Sequence, residues 1–127
     1  MENIFETISK NRNDPSNIDV AVHNVNAKIA NENEKVNAVV WQDASFTKNE
    51  IERVNKLDSS SPLFGMPILI KELDASLKGT PNSWGNKILK EQGCKDTFTS
   101  NSIRLLQEAG AVIVGKTNNC ELGLDVI

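Results

Sequence analysis

Gly65-Met66-Pro67-Ile68-Leu69-Ile70-Lys71 is the stretch on which the fold turns. It is an apolar run with the length and bounds of a buried strand, and it closes on an amine. A cation at such a position must be solvated, paired or neutral. Burial strips lysine of its charge more readily than arginine, which is how a lysine becomes a base. Lys71 is therefore the first candidate for chemistry, although a lysine at a strand exit is, taken by itself, usually just solvated.

Working outward, helices alternate with short strands. Asn17 is placed to cap a helix whose apolar face is Ile18, Val22, Val25 and Ile29, running until Asn31 to Lys35 turns polar. Val39-Val40-Trp41 reads as a short strand, with a turn beginning at Asp43. Thr47 and Glu50 match the T-x-x-E capping box, and Phe46 with Ile51 fits a hydrophobic staple at the start of the next helix. Lys56 to Pro62, with Ser59-Ser60-Ser61, is a polar turn leading into the Met66 to Lys71 strand. A long irregular connection follows over Ala75 to Gly85, with Trp84 in its middle, of the kind that covers a site. A further helix is expected from near Thr97 to Ala109, burying Phe98, Leu105, Leu106 and Ala109. Gly110 stands where a left-handed cap belongs, and Ala111-Val112-Ile113-Val114 is the third strand.

Strands separated by helices predict an α/β fold with helices around a short, largely parallel sheet, joined by right-handed crossovers. In such sheets the ligand crevice lies beyond the carboxyl ends of the strands. Lys71 closes one strand and Gly115-Lys116-Thr117-Asn118 closes another, so Thr117 and Asn118 are expected on the wall of a crevice that Lys71 also faces. For Lys116 a solvated or carbonyl-bonded role is expected. The chain reads as a single domain over 1–127, with a helical lead-in over 1–35 and a βαβ core over 36–127.

Composition narrows the function. The 127 residues suffice for one modest core, with 39% hydrophobic content. A formal charge of -3 and a sequence pI ≈ 5.2 leave no basic field for a phosphate backbone, which argues against nucleic acid as a partner. Met1 to Lys10 carries Glu2 and Glu6 and lacks the apolar stretch of a secretory signal, and no segment approaches a membrane span. A cytoplasmic location is expected. Cys94 and Cys120 lack metal-ligand spacing and a secreted context, so reduced thiols are expected, with no metal and no cofactor. His23, the only histidine, lies off the apolar stripe of its helix and reads as a rim residue.

Gly110 through Thr117 matches the phosphate-loop pattern G-x-x-x-x-G-K-[ST]. Its context denies that reading. A phosphate loop follows a strand and opens a helix, whereas here the order is helix, Gly110, strand. The intervening Ala-Val-Ile-Val is stiff and extended rather than able to curl around phosphates. A nitrilase-type Glu, Lys, Cys set (Glu121, Lys71, Cys120) is also present by residue type, but adjacent Cys120 and Glu121 point apart in an extended segment.

Taken together, Val36-Asn37-Ala38-Val39-Val40, then Pro62-Leu63-Phe64-Gly65-Met66-Pro67-Ile68-Leu69-Ile70-Lys71-Glu72-Leu73, then Ala109 to Asn118 resemble, in order, the amino-terminal part of the amidase signature family. The resemblance covers roughly the last two thirds of the chain, and Gly79 to Gly85 and Glu121-Leu122-Gly123 sit where the family carries similar segments. It implies the amino-terminal portion of the amidase signature fold, an incomplete three-layer architecture. It also implies hydrolysis of a small-molecule amide by a Ser, cis-Ser, Lys triad, in which the lysine matching Lys71 relays a proton through the bridging serine. An ordinary lysine amine is neutral only about once in 2,500 molecules at pH 7, a deficit of about 4.6 kcal/mol that burial and hydrogen bonding must reduce, so the resemblance implies a water-poor cleft around the Lys71 amine.

The family's glycine and serine rich stretch, which supplies both serines and the oxyanion donors, lies downstream of Ile127. Ser59, Ser60 and Ser61 precede the Lys71 strand and lack flanking glycines, so they do not substitute. The expectation is thus an amidase fragment carrying only the triad lysine, inactive alone, with docking to a carboxy-terminal part. A noncatalytic pseudoenzyme or docking half is the alternative. The A subunit of the tRNA-dependent amidotransferase fits less well, because Lys71-Glu72-Leu73-Asp74 and Asn119-Cys120 depart from its usual pattern. Glu72, where the family commonly has aspartate, is expected to point to the opposite sheet face from Lys71 in a structural role.

Overall fold

The computed structural model describes residues 2–124. The chain runs α1 (Ile4–Asn13), α2 (Asn17–Val36), β1 (Val39–Trp41), α3 (Ala44–Val54), β2 (Pro67–Lys71), α4 (Lys87–Glu91), α5 (Asn101–Glu108) and β3 (Val112–Thr117), then a 3-10 turn over Glu121–Gly123. The strands form one sheet in the order β1-β3-β2. β2 pairs with β3 in parallel, but β1 pairs with β3 antiparallel, so half of the pairing departs from the parallel arrangement expected. The apolar segment from Leu122 to Ile127 falls partly outside the described residues.

Alternation along the strands divides the core into two clusters, one on each face of the sheet. On one face Val112 and Val114 pack with Ile18 and Val22 of α2, Val54 of α3 and Phe64, with Leu69 at the margin. On the other Ile113 and Ile70 pack with Leu77 and Ile103, with Leu106 of α5 at the margin. Helices thus flank a thin sheet on both faces, the layered α/β arrangement expected.

Several starts and stops fall elsewhere than local signals suggest. The cap of α3 is Asp43, whose side chain accepts from the Phe46 backbone N–H at 2.7 Å. Thr47 and Glu50 lie inside the helix and are buried. Glu50 is drawn instead to Arg53, at 3.0 and 2.9 Å, to Gln107 at 2.9 Å and to the Ile113 N–H at 3.2 Å. This ties α3 to the start of β3. Phe46 meets Trp41 edge-on at 5.2 Å between ring centres and joins the second cluster while Ile51 joins the first, so they do not staple each other. The capping box that does form is Asn3 with Glu6, at the start of α1.

Helix α2 carries Ile18 and Val22 inward as expected but runs on through the polar stretch to Val36, ending at Asn37 with φ 48. Its N-cap is Ser16; the Asn17 amide donates to the Lys10 carbonyl at 3.1 Å and fixes the α1–α2 corner. Asn33 explains the extra turns. Its side chain accepts from the Val39 N–H and donates to the Val39 carbonyl, both at 2.8 Å, in place of a neighbouring strand. Helix α5 begins at Asn101, four residues later than Thr97, because Asp96 to Ser100 is held against residues 76–80. The Asp96 N–H donates to the Thr80 carbonyl at 3.0 Å, the Ser100 N–H to the Ser76 carbonyl at 2.9 Å, and the Lys78 N–H to the Thr99 hydroxyl at 3.1 Å. Phe98 and Leu105 are accordingly exposed and Ile103 takes the core position.

Gly115 permits a close approach of β1 to β3. A Cβ there would lie 2.5 Å from the Trp41 carbonyl oxygen, so the β1–β3 contact requires glycine. Among the described residues no helix is long and apolar enough to cross a membrane.

Candidate functional site

The ends of β2 and β3 lie side by side. Ile70 is the register partner of Lys116, and Lys71 of Thr117. The Glu72 N–H donates to the Thr117 carbonyl at 3.1 Å, which carries the pairing one residue past the end of β2. Lys71 and Thr117 are therefore neighbours at the carboxyl end of a parallel pair, where α/β sheets bind ligands.

Burial at this end differs from expectation. Lys71 is exposed and Thr117 partly buried, so within these residues the Lys71 amine stands in solvent rather than in a water-poor cleft. Asn118 is exposed, but its backbone N–H donates to the Ala38 carbonyl at 2.8 Å and its side-chain amide to the Asn37 carbonyl at 3.1 Å. It pins the entry of β1. His23 is exposed on α2, and Cys94 and Cys120 are not joined in a disulfide.

The buried polar chemistry sits on the other face. Lys116 is fully buried, at 0% exposure. Its amine donates to the Asp96 carboxylate at 2.7 Å and to the Pro81 carbonyl at 2.9 Å. This overturns a solvated reading of Lys116, although one of its partners is indeed a carbonyl. Asp96 also accepts from the Leu77 N–H at 2.9 Å and the Asn82 amide at 2.7 Å. Burial opposes the charged carboxylate, but the hydrogen bonds from Asn82, Lys116 and Leu77 and the lysine charge outweigh it and hold Asp96 below the usual aspartate range.

Glu72, also buried, is one residue beyond Lys71 and on the face of Ile70 and Lys116. It accepts from the Ser83 N–H at 2.8 Å, the Ser83 hydroxyl at 2.9 Å and the Gly85 N–H at 3.3 Å. Trp84 and Gly85 both have positive φ, 51 and 68, which curls the backbone so that N–H groups converge on one carboxylate. The connection after β2 thus covers one face of the strand ends and leaves Lys71 on the other.

Sequence reasoning missed Asp96 and Asn82. Their types and spacing carry no signal, since Asp96 acts across 20 residues on Lys116 through a fold that only the three-dimensional path reveals. A lysine directly after an apolar strand segment and Gly115 was the available clue, because the strand continues through it to Thr117.

A three-stranded mixed sheet with helices on both faces, a lysine at the carboxyl end of one strand and a buried ion pair behind it, is an α/β scaffold. Comparison with known proteins identifies its family. The amidase family model matches residues 21–126, reaching back into α2 beyond the segments that carry the sequence resemblance. The chain belongs to the amidase family. It is 37% identical to a lipoamidase of Enterococcus faecalis over 92 residues, 72% of this chain and 12% of that protein. It is 38% identical to the A subunit of glutamyl-tRNA(Gln) amidotransferase from Methanosarcina acetivorans over 96 residues, 73% of this chain and 19% of that one. The fold superposes on a 6-aminohexanoate cyclic dimer hydrolase complexed with substrate with a TM-score of 0.83 and 23% identity, covering 95% of this chain and 24% of the hydrolase. The chain therefore spans less than a fifth of the length of the two curated relatives.

Proposed function

We propose that this chain supplies the general-base lysine of an amide hydrolase, with Lys71 relaying the proton that activates a serine nucleophile. Family membership and the position of Lys71 beside Thr117 at the carboxyl end of the parallel β2–β3 pair support this reading. The substrate is a small-molecule amide, and the reaction is acyl transfer to a serine followed by hydrolysis. The serines and oxyanion donors belong to polypeptide that the longer relatives carry beyond the matched segment. Such polypeptide, laid over the exposed Lys71, would also exclude water and favour its neutral form.

The alternative is a noncatalytic docking half that completes its sheet with a separate chain. One observation favours it. β2 is an edge strand carrying Ile68, Leu69 and Ile70, whereas the β1 edge is occupied by the Asn33 side chain. Apolar edge strands are templates for pairing.

The experiment is an amide hydrolysis assay on the purified chain, on the chain joined to a family segment bearing paired serines among glycines, and on the joined protein with Lys71→Ala. No turnover, turnover and no turnover, in that order, is expected. Turnover by the chain alone, or activity surviving Lys71→Ala, overturns the assignment. Binding to the serine segment without turnover supports the docking reading.

A further inference from the structure

The segment from Leu77 to Asp96 is fastened to the sheet at two places, each by a buried carboxylate. Asp96 collects the Leu77 N–H, the Asn82 amide and the Lys116 amine. Glu72 collects Ser83 and Gly85. The anchors on the sheet are Lys116, register partner of Ile70, and Glu72 itself. Glu72, which follows Lys71, and Lys116, register partner of the Ile70 that precedes it, are thus both tied to one strap on the face opposite to Lys71.

We propose that Asp96 and Glu72 are positioning residues for Lys71, strapping residues 77–96 across one face of the sheet so that the Lys71 side chain leaves the other face from a fixed place in the backbone. This rests on the reading of Lys71 as the base. A purely stabilising role does not account for the choice of groups. Apolar residues of similar volume often stabilise as well as a buried ion pair or better, because taking charges out of water offsets much of their attraction. What charged and hydrogen-bonded groups add is direction. The Lys116 amine donates to the Pro81 carbonyl and to Asp96, and the Glu72 carboxylate accepts from a backbone curled at Trp84 and Gly85. Neither carboxylate touches the reacting atoms, so neither is catalytic. A half-ångström drift in a base is costly because proton transfer needs hydrogen-bond reach.

The test uses the 127-residue chain with lysine labelled at Cε, following the Lys71 signal by NMR together with amide exchange along 77–96. Two variants release the strap by different routes: Glu72→Gln, and the double change Asp96→Leu with Lys116→Met, which removes both charges and keeps the volume filled. Expected in both is exchange across 83–85 or 77–82 faster on the order of tenfold or more, with the single Lys71 signal split or broadened while the Val112 to Val114 signals stay in place. An unchanged, single Lys71 signal in either variant, with its strap amides exchanging freely, removes that carboxylate from the positioning role. Strap amides that remain protected in either variant overturn its fastening role. The reading of Lys71 as base fails separately, by amide turnover that survives Lys71→Ala in the serine-bearing protein.

Discussion

Lys116 and Asp96, 20 residues apart in the chain, meet at 2.7 Å with side chains 0% and 6% exposed. They close the end of the sheet against the connection between β2 and α5. Breaking such a pair from one side leaves a charge buried without compensation, whereas removing both does not. Lys116→Ala is expected to cost about 3–5 kcal/mol in urea unfolding. The double change Asp96→Leu with Lys116→Met should cost less than Lys116→Ala, because no charge is left buried, although the Leu77 N–H, the Asn82 amide and the Pro81 carbonyl lose their partners. Equal losses in the single and double variants would count against the buried pair.

The same pair makes the strap sensitive to acid. Asp96 has a folded pKa below its ordinary value of about 3.9, so its contribution is present above that value and is lost as pH falls through the folded one. Amide exchange over residues 77–82 should therefore quicken as pH is taken below about 4, beyond the intrinsic pH dependence of exchange. Asp96→Asn should remove this extra acid dependence. The same excess in parent and variant would assign the effect to another carboxylate.

Much of the topology was legible because periodicity reports burial directly. Val39 to Trp41, Pro67 to Lys71 and the apolar start of β3 are all strands where alternation or continuous apolar runs place them. The adjacency of Lys71 and Thr117 was inferable only as a possibility, since strand order is not written in local sequence, and the antiparallel β1 was missed for the same reason. Capping was misread at Thr47 and Glu50 because a local motif competed with a stronger tertiary demand, the Arg53, Gln107 and Ile113 partners that Glu50 satisfies. At the candidate site, the place of Lys71 at the end of β2 was readable but its surroundings were not. Burial of Lys116 and exposure of Lys71 depend on which face the 77–96 connection crosses.

Gly115 is expected to tolerate no side chain. Gly115→Ala sets a Cβ against the Trp41 carbonyl, 2.5 Å away in the present backbone. The strands must part, at about 1–3 kcal/mol. Tryptophan fluorescence should report this through the Trp41–Phe46 contact, and an alanine variant as stable as the parent would show that β1 yields freely.

Asn33 guards the outer edge of β1. Asn33→Ala leaves the Val39 N–H and carbonyl without their side-chain partner, at about 1–3 kcal/mol by thermal or urea unfolding. Because an unpaired edge invites pairing with other chains, the variant should also associate more at high concentration by light scattering. A variant that stays as stable and as monodisperse as the parent would deny the edge role.

The central claim concerns what Lys71 does to a serine. An activated serine reacts with a fluorophosphonate, and the labelling rate reads that activation without any assumption about the amide substrate. In the chain joined to a serine-bearing segment, Lys71→Ala should abolish labelling, and in the 127-residue chain alone, where Lys71 is exposed, it should leave folding stability within about 0.5 kcal/mol. Labelling at the parent rate in the Lys71→Ala protein would contradict the account.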